Sequence, residues 1–174
     1  MSVMTIRVVT PDKLVFDGEA ERVFARGIDG DFAVLHNHIP MMTPLGVGEL
    51  RIDMNGESSY IAVDNGIFEV SNNHINVLSN DAMMAEDIDV ARAKMELERS
   101  ERQKQNAKTR EDLIKSEMEI AKLLNQIRVG EKRISEKKEA DMASFFIGIL
   151  IIFLFVIKGV LSPIVSKTKI PLIL

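Results

Sequence analysis

The chain has 174 residues, 46% of them hydrophobic and 28% charged, with a formal net charge of −4, which suits one medium domain plus an appendage. It contains no cysteine, which excludes disulfide frameworks, zinc fingers, thiol catalysis and iron–sulfur ligation. The weakly acidic balance, only 5% aromatic residues and no tryptophan argue against nucleic acid as a partner, because neither a basic stripe nor a stacking platform is available.

Charge divides the chain into three. Residues 1–87 carry 5 basic and 14 acidic side chains, residues 88–141 carry 14 and 12, and residues 142–174 carry 3 and 0. Three compositions imply three physical tasks. The first segment opens without a signal-peptide pattern, since Arg7 lies among its first ten residues and no long apolar run is present. It reads as all-β, with short β-branched runs cut by turn signals. Ile6–Val9 is followed by Phe16-Asp17-Gly18, Val23-Phe24-Ala25 by Gly27-Ile28-Asp29-Gly30, and Phe32–Leu35 by His36-Asn37-His38. Gly46-Val47-Gly48 reads as a loop after Pro44. Asn55-Gly56 between two further runs is the strongest hairpin signal, because both residues tolerate positive φ. Asp64-Asn65-Gly66 and Ser71-Asn72-Asn73 punctuate the next runs, ending at Ile75–Leu78. This spacing predicts a small β-sandwich or flattened barrel over residues 1–87. A parallel α/β sheet is excluded by the lack of intervening helical patterns.

At Asp87 the period changes. Val90, Ala93, Leu97 and Ser100 form a narrow stripe on a charged helix, interrupted by the polar stretch Asn106–Arg110. Leu113, Ile114, Met118, Ile120, Ala121, Leu124 and Ile127 then predict a broader apolar face on a second helix. Together they predict an antiparallel helical hairpin over residues 88–138. Neither helix carries enough apolar surface to stand alone in water, so the hairpin must lean on another surface.

The tail, residues 139–174, is abrupt. Met142–Ile157 has no charge and at about 1.5 Å per residue reaches roughly 24 Å, short of a hydrocarbon core of about 30 Å. Counting on past Lys158 to Ser166 lengthens the span, with Pro163 bending it. A membrane helix, a shorter interfacial segment and an extension not native to the fold all stand as readings.

Few patterns carry chemistry. His36-Asn37-His38 is similar to an HNH nuclease signature, but such a site needs a further His or Asn on a helix, and His74 belongs to another hairpin. A solvated loop at the sandwich end is the simpler reading. No phosphate-binding glycine loop and no nucleophile elbow occur. Arg92 and Arg99 share one helix face with Arg102 a turn further on. They either hold phosphate or pair with Glu96, Glu98 and Glu101.

Five motifs in order then resemble the epsilon-subunit family of bacterial F-type ATP synthases. They are Thr5-Ile6-Arg7-Val8-Val9-Thr10-Pro11, Gly27-Ile28-Asp29-Gly30-Asp31-Phe32 and His38-Ile39-Pro40-Met41-Met42-Thr43-Pro44-Leu45, followed by Ile61–Val70 and Ala85–Ala93. The resemblance covers residues 3 to about 135. It implies an N-terminal β-sandwich and a C-terminal helical hairpin, with no catalytic residue and no metal. Its implied place is the central rotor, peripheral on the cytoplasmic side of the cell membrane, between the gamma subunit and the ring of c subunits. On this reading ion flow through the ring is coupled to ATP synthesis. Asp31 matches an acidic loop residue facing the c ring, and His38, Met41, Met42 and Thr43 match the gamma-facing region.

In the family the hairpin permits turnover when folded down. When extended it reaches the alpha/beta catalytic hexamer and restrains hydrolysis. ATP binds the folded hairpin in some members, and Ile88, Asp89, Arg92, Ala93 and Arg99 match that nucleotide motif. The match is incomplete: Met83 stands where relatives carry an acid, and Lys122 and Gln126 where they carry arginines. Weak ATP binding or none is therefore expected, since Lys supplies no bidentate fork and Gln no charge. The rival reading is a tail-anchored membrane adaptor with a β-sandwich binding domain.

Overall fold

A computed structural model describes residues 2–165, with side chains described at 2–139 and 141–147. Two compact units divide at Arg133/Ile134. The first holds eight strands: β1 (Met4–Val9), β2 (Leu14–Ala20), β3 (Arg22–Gly27), β4 (Gly30–Leu35), β5 (Met41–Leu45), β6 (Gly48–Met54), β7 (Glu57–Ser71) and β8 (His74–Met84). Helix α1 (Val90–Gln105) follows, and α2 (Arg110–Val165) passes from the first unit into the second.

The sheet path runs β2-β1-β8-β7-β5-β3-β4, with β6 pairing both β3 and β7. All pairs are antiparallel except β1 with β8, which brings the first strand beside the last. The predicted sandwich is what forms. Its core is the alternating inward set Met4, Ile6, Val8, Val23, Val34, Leu50, Ile52, Ile61, Phe68, Val70, Ile75 and Val77, each at most 2% exposed. Phe32 meets Phe68 edge-on, ring centroids 5.1 Å apart.

Two turn assignments are corrected. Asp64-Asn65-Gly66 does not end a strand but kinks the middle of the 15-residue β7. Residues 57–63 pair with β6 and residues 66–70 with β5, so one strand serves both layers of the sandwich. The inward residues are Ile61 and Val63 before the kink, Phe68 and Val70 after it. A change of parity is the physical sign of a strand turning between sheets. Asn65 has φ 48° and Gly66 φ 155°, and the Ser79 hydroxyl sits among three carbonyls in this corner, 2.6 Å from that of Asp81, 2.9 Å from that of Asn65 and 3.2 Å from that of Asp64, with one proton to donate among them. Opposite the kink, Gly46 and Val47 separate β5 from β6, so Gly48 opens a strand rather than closing a loop.

The hairpin forms with capped helix starts, but α2 does not end at 138 as expected and runs on to Val165. Asp89 caps α1, its Oδ1 accepting from Arg92 N at 3.0 Å. Thr109 caps α2, accepting from Asp112 N at 3.1 Å. The ion pairs Lys94–Glu131 and Lys104–Glu117 align the helices antiparallel. The expected stripe of α1 packs as read, Ala93 and Ser100 buried with Val90 and Leu97 half-buried.

The expected face of α2 does so only in part. Ile127 is buried as read, but Leu113, Ile114, Met118 and Leu124 are exposed, and Leu123, Asn125 and Val129 are buried in their place. Two surfaces, not one, select the buried side: Leu123 and Ile127 meet α1, while Val129 meets Tyr60, Ala62 and Ala85 on the sandwich.

Within the described residues no helix is long and apolar enough to cross a membrane, and the side chains of 148–165 and residues 166–174 lie outside the description. The membrane reading of the tail falls on that segment.

A Cβ at Gly66 would collide with the Leu78 backbone carbonyl in a φ that L-residues rarely adopt. Gly66→Ala is therefore expected to lose at least about 2 kcal/mol of stability in urea unfolding, whereas Asn65→Gly, at a left-handed position, stays near wild type.

Candidate functional site

The residues matched to the nucleotide motif meet at the junction of β8, α1 and α2. Ile88, Asp89, Arg92 and Ala93 line a cleft of about 310 Å³ together with Asp81, Met83, Asp87, Glu96, Glu119, Lys122, Leu123 and Gln126. The three departures from the motif, Met83, Lys122 and Gln126, thus face the same space as its matches. Arg99 lies apart from that space. It lines the neighbouring cleft near the hairpin turn with Arg102, Asn106, Asp112 and Lys115, and Glu119 borders both.

Charge decides what the first cleft can hold. Five carboxylates (Asp81, Asp87, Asp89, Glu96 and Glu119) face two cations, Arg92 and Lys122. Both cations are occupied: Arg92 Nε lies 3.0 Å from Glu96 Oε1, and Lys122 Nζ lies 2.7 Å from Asp81 Oδ2. Burial pulls the Lys122 pKa down, but the hydrogen bond and charge of Asp81, with Glu119 and Asp64 behind it, outweigh burial and hold it above its ordinary value. The arrangement binds α2 to β8 and repels a polyanion.

Docking of α2 continues through three further contacts that its sequence pattern did not reveal. Asn125, 6% exposed, donates from Nδ2 to the carbonyls of Gly48 at 2.9 Å and Val63 at 3.3 Å, while its Oδ1 accepts from Arg128. Lys132 Nζ reaches Glu49 Oε1 at 2.7 Å and stands 4.5 Å from the Tyr60 ring centroid. Gly130 lets the helix approach Ile88 and Val90, where a Cβ would sit 2.7 Å from Val90 Cγ2. A lone Asn and a lone Gly in a charged helix were the only available signals.

The remaining matched residues lie on the sandwich. Asp31 follows the tight β3–β4 turn, its side chain 76% exposed and 3.5 Å from Arg26 Nε, beside exposed Ile28 at the tip. His38 precedes β5, with Nδ1 donating to the Ile39 carbonyl. Met41, Met42 and Thr43 open that strand, Met42 being 68% exposed. Register adds residues beyond the matched gamma-facing set: Leu14, Val9, Leu78, Ile67 and Pro44 are successive partners across β2, β1, β8, β7 and β5. Leu14, Leu78, Ile67 and Met42 are each at least 44% exposed. An apolar row of this length on a sheet's outer face is a contact surface rather than scattered exposure. His36 Nδ1 donates to the Val3 carbonyl, and among the described residues no cluster of three or more metal-ligating side chains occurs.

Comparison with known proteins fits this geometry. The ATP synthase delta/epsilon chain β-sandwich model matches residues 3–85, and the long α-helix model of the same chain matches residues 86–131. The chain belongs to the ATP synthase delta/epsilon chain family. It is 35% identical to the ATP synthase epsilon chain of Lactobacillus johnsonii, over 74% of this chain and 93% of that one. It is 41% identical to that of Desulforamulus reducens, over 71% and 94%. A chain of the Euglena gracilis mitochondrial ATP synthase (OSCP/F1/c-ring, rotational state 1) superposes with TM-score 0.64 at 16% identity, covering 72% of this chain and 79% of that one. That likeness concerns the fold. Family membership does not favour the tail-anchored adaptor.

Two outcomes follow for α2. Asn125→Leu strands the Gly48 and Val63 carbonyls and is expected to cost the docked hairpin about 1–3 kcal/mol, read as faster hydrogen exchange in 115–130 with β1–β8 unchanged. The Lys122–Asp81 contribution is present below the ordinary lysine pKa and is lost as pH rises through the raised one. Wild-type α2 exchange, corrected for intrinsic rate, should therefore accelerate only at strongly alkaline pH, and Lys122→Met should abolish that step.

Proposed function

We propose that this chain, a central-stalk subunit of F-type ATP synthase, couples ion flow through the c ring to ATP synthesis by joining the ring to gamma, and restrains ATP hydrolysis through its helices. The observation that carries the reading is the exposed apolar row Leu14–Val9–Leu78–Ile67–Pro44 with Met42 beside it. A monomer gains nothing from such a surface, whereas a subunit held on a shaft buries it. Gamma is the partner proposed for that row and for His38, Met41, Met42 and Thr43.

The exposed Ile28-Asp29-Gly30-Asp31 tip is proposed as the c-ring contact. Its carboxylates suit basic loops by charge complementarity. Localisation follows: the chain is peripheral on the cytoplasmic side of the cell membrane, carried by the complex. Its contribution is mechanical coupling rather than bond chemistry, and it needs no cofactor.

The hairpin supports the regulatory half. α2 is docked by a handful of separable contacts, and it keeps Leu113, Ile114, Met118 and Leu124 exposed while docked. A helix pair so held can exchange one packing for another differing by a few kcal/mol. Extended, its apolar side chains would be free to engage the alpha/beta hexamer. ATP at Ile88, Asp89, Arg92, Ala93 and Arg99 is proposed to be weak or absent, because the cleft is acidic and Arg99 stands outside it.

The test is ATP hydrolysis by a catalytic core stripped of this subunit. Adding the full chain should lower the rate saturably, and truncation after Asp87 should relieve the effect while gamma capture persists. Ile67→Glu should weaken gamma capture by about tenfold or more, as for a charge placed in an apolar contact. Failure of gamma capture by the wild-type chain would overturn the reading. Calorimetric titration with ATP should show no saturation at micromolar concentrations, and micromolar affinity would overturn that part.

A further inference from the structure

Charge is distributed in the opposite sense on the other side of α2. The helix seats Val129 on the Tyr60 and Ala62 part of the outer sheet face and reaches Glu49 through Lys132, leaving a corner against β3, β4 and β6. Register places Phe24 opposite Ala33 and Arg51, and Arg26 opposite Asp31, all on that outer face. A cleft of about 520 Å³ opens there, lined by Arg26, Arg51, Arg128 and Lys132 against the carboxylates of Asp31 and Glu49. Cations outnumber carboxylates by two. Counting Asp53, which lies beside Arg51, together with its second partner Arg22, leaves the same excess.

The cations are arranged rather than scattered. The Arg51 guanidinium carbon lies 3.8 Å over the Phe24 ring centroid, so the group is already held before any ligand arrives. It is paired with the buried Asp53, Nη2 donating to Oδ2 at 3.4 Å and Nε standing 3.1 Å from Oδ1 without hydrogen-bond geometry, and Asp53 is shared with Arg22. Arg128 spends one N–H on the neutral Asn125 amide, which leaves its charge uncompensated there. Arg26 pairs with Asp31, and Lys132 with Glu49 beside the Tyr60 ring, both carboxylates lining the same cleft. Three guanidiniums and one ammonium around a concave floor of Phe24 and Ala33 suit bidentate recognition of phosphate oxygens. The volume falls in the range of small-molecule sites.

We propose that this corner of β3, β6 and α2 is an anion site that takes the di- or triphosphate group of a small soluble molecule, separate from the acidic cleft at Asp89 and Arg92. Arg26 and Arg51 come from the sandwich and Arg128 and Lys132 from α2, so the site is complete only while α2 is docked. The reading stands independently of gamma and the c ring.

The test uses the full chain and inorganic pyrophosphate without divalent cations, followed by amide chemical shifts and calorimetry. Saturable binding is expected, with shifts at residues 24–33, 49–51 and 128–132. Arg128→Gln/Lys132→Gln should weaken it by about tenfold, and Arg26→Gln, at an exposed side chain, by about threefold. Asp31→Asn should tighten it, since a competing carboxylate is removed. Arg92→Gln should leave it within about twofold, and raising salt from about 50 mM to about 300 mM should weaken it. No saturation, or loss in Arg92→Gln with no loss in Arg128→Gln/Lys132→Gln, would overturn the proposal. Orthophosphate binding as tightly as pyrophosphate would overturn the assignment to a di- or triphosphate. Gamma capture by the same proteins reports separately on the central-stalk reading.

Discussion

The kink at Asn65-Gly66 is the constraint on which the other surfaces depend. It lets one 15-residue strand serve two layers and reverses which side chains point inward. Before it, Tyr60 and Ala62 point outward and become the seat for Val129 of α2. After it, Ile67 points outward and becomes the middle of the apolar row. A straight strand would bury one of these sets or expose Phe68. The positive φ values of Asn65 and Gly66 and the Ser79 hydroxyl set among three corner carbonyls are the local means of holding the corner.

A second theme is the modest hold on the hairpin. Its docking side mixes a buried amide, two ion pairs and a glycine contact with a small apolar cluster. Exposed ion pairs contribute about 0–1 kcal/mol each, and a buried amide acts mainly through the carbonyls it satisfies. Such an interface is specific in geometry yet shallow in free energy. That combination suits an element that must leave and return. The two clefts flanking α2 have opposite electrostatic character, the Asp89 side net acidic and the Arg51 side net basic. A ligand's charge therefore selects the side on which it settles.

The candidate residues were unevenly legible. The Ala93 stripe was readable, because helical period is local. Asn125 and Gly130 were not, since a polar residue and a glycine in a charged helix look like solvated positions until a strand lies beneath them. The α2 face was legible only at Ile127: counting apolar residues favours Met118 and Leu124, but the remaining contacts go to Leu123 and Val129. Asp64-Asn65-Gly66 looked like a turn because a parity change and a strand end give the same break in alternation.

The sequence by itself determined the strand-rich first segment, the two helices, the order of the family motifs and the absence of thiol chemistry, all of which rest on local period, turn residues and composition. Only the tertiary structure decided which strands share a layer, that Leu14, Leu78 and Ile67 align into one row, that Arg99 stands apart from Arg92, and that Arg26, Arg51, Arg128 and Lys132 converge. Those facts depend on pairing between residues far apart in the chain. Local propensity carries no information about register across a crossover or about the side on which a helix docks.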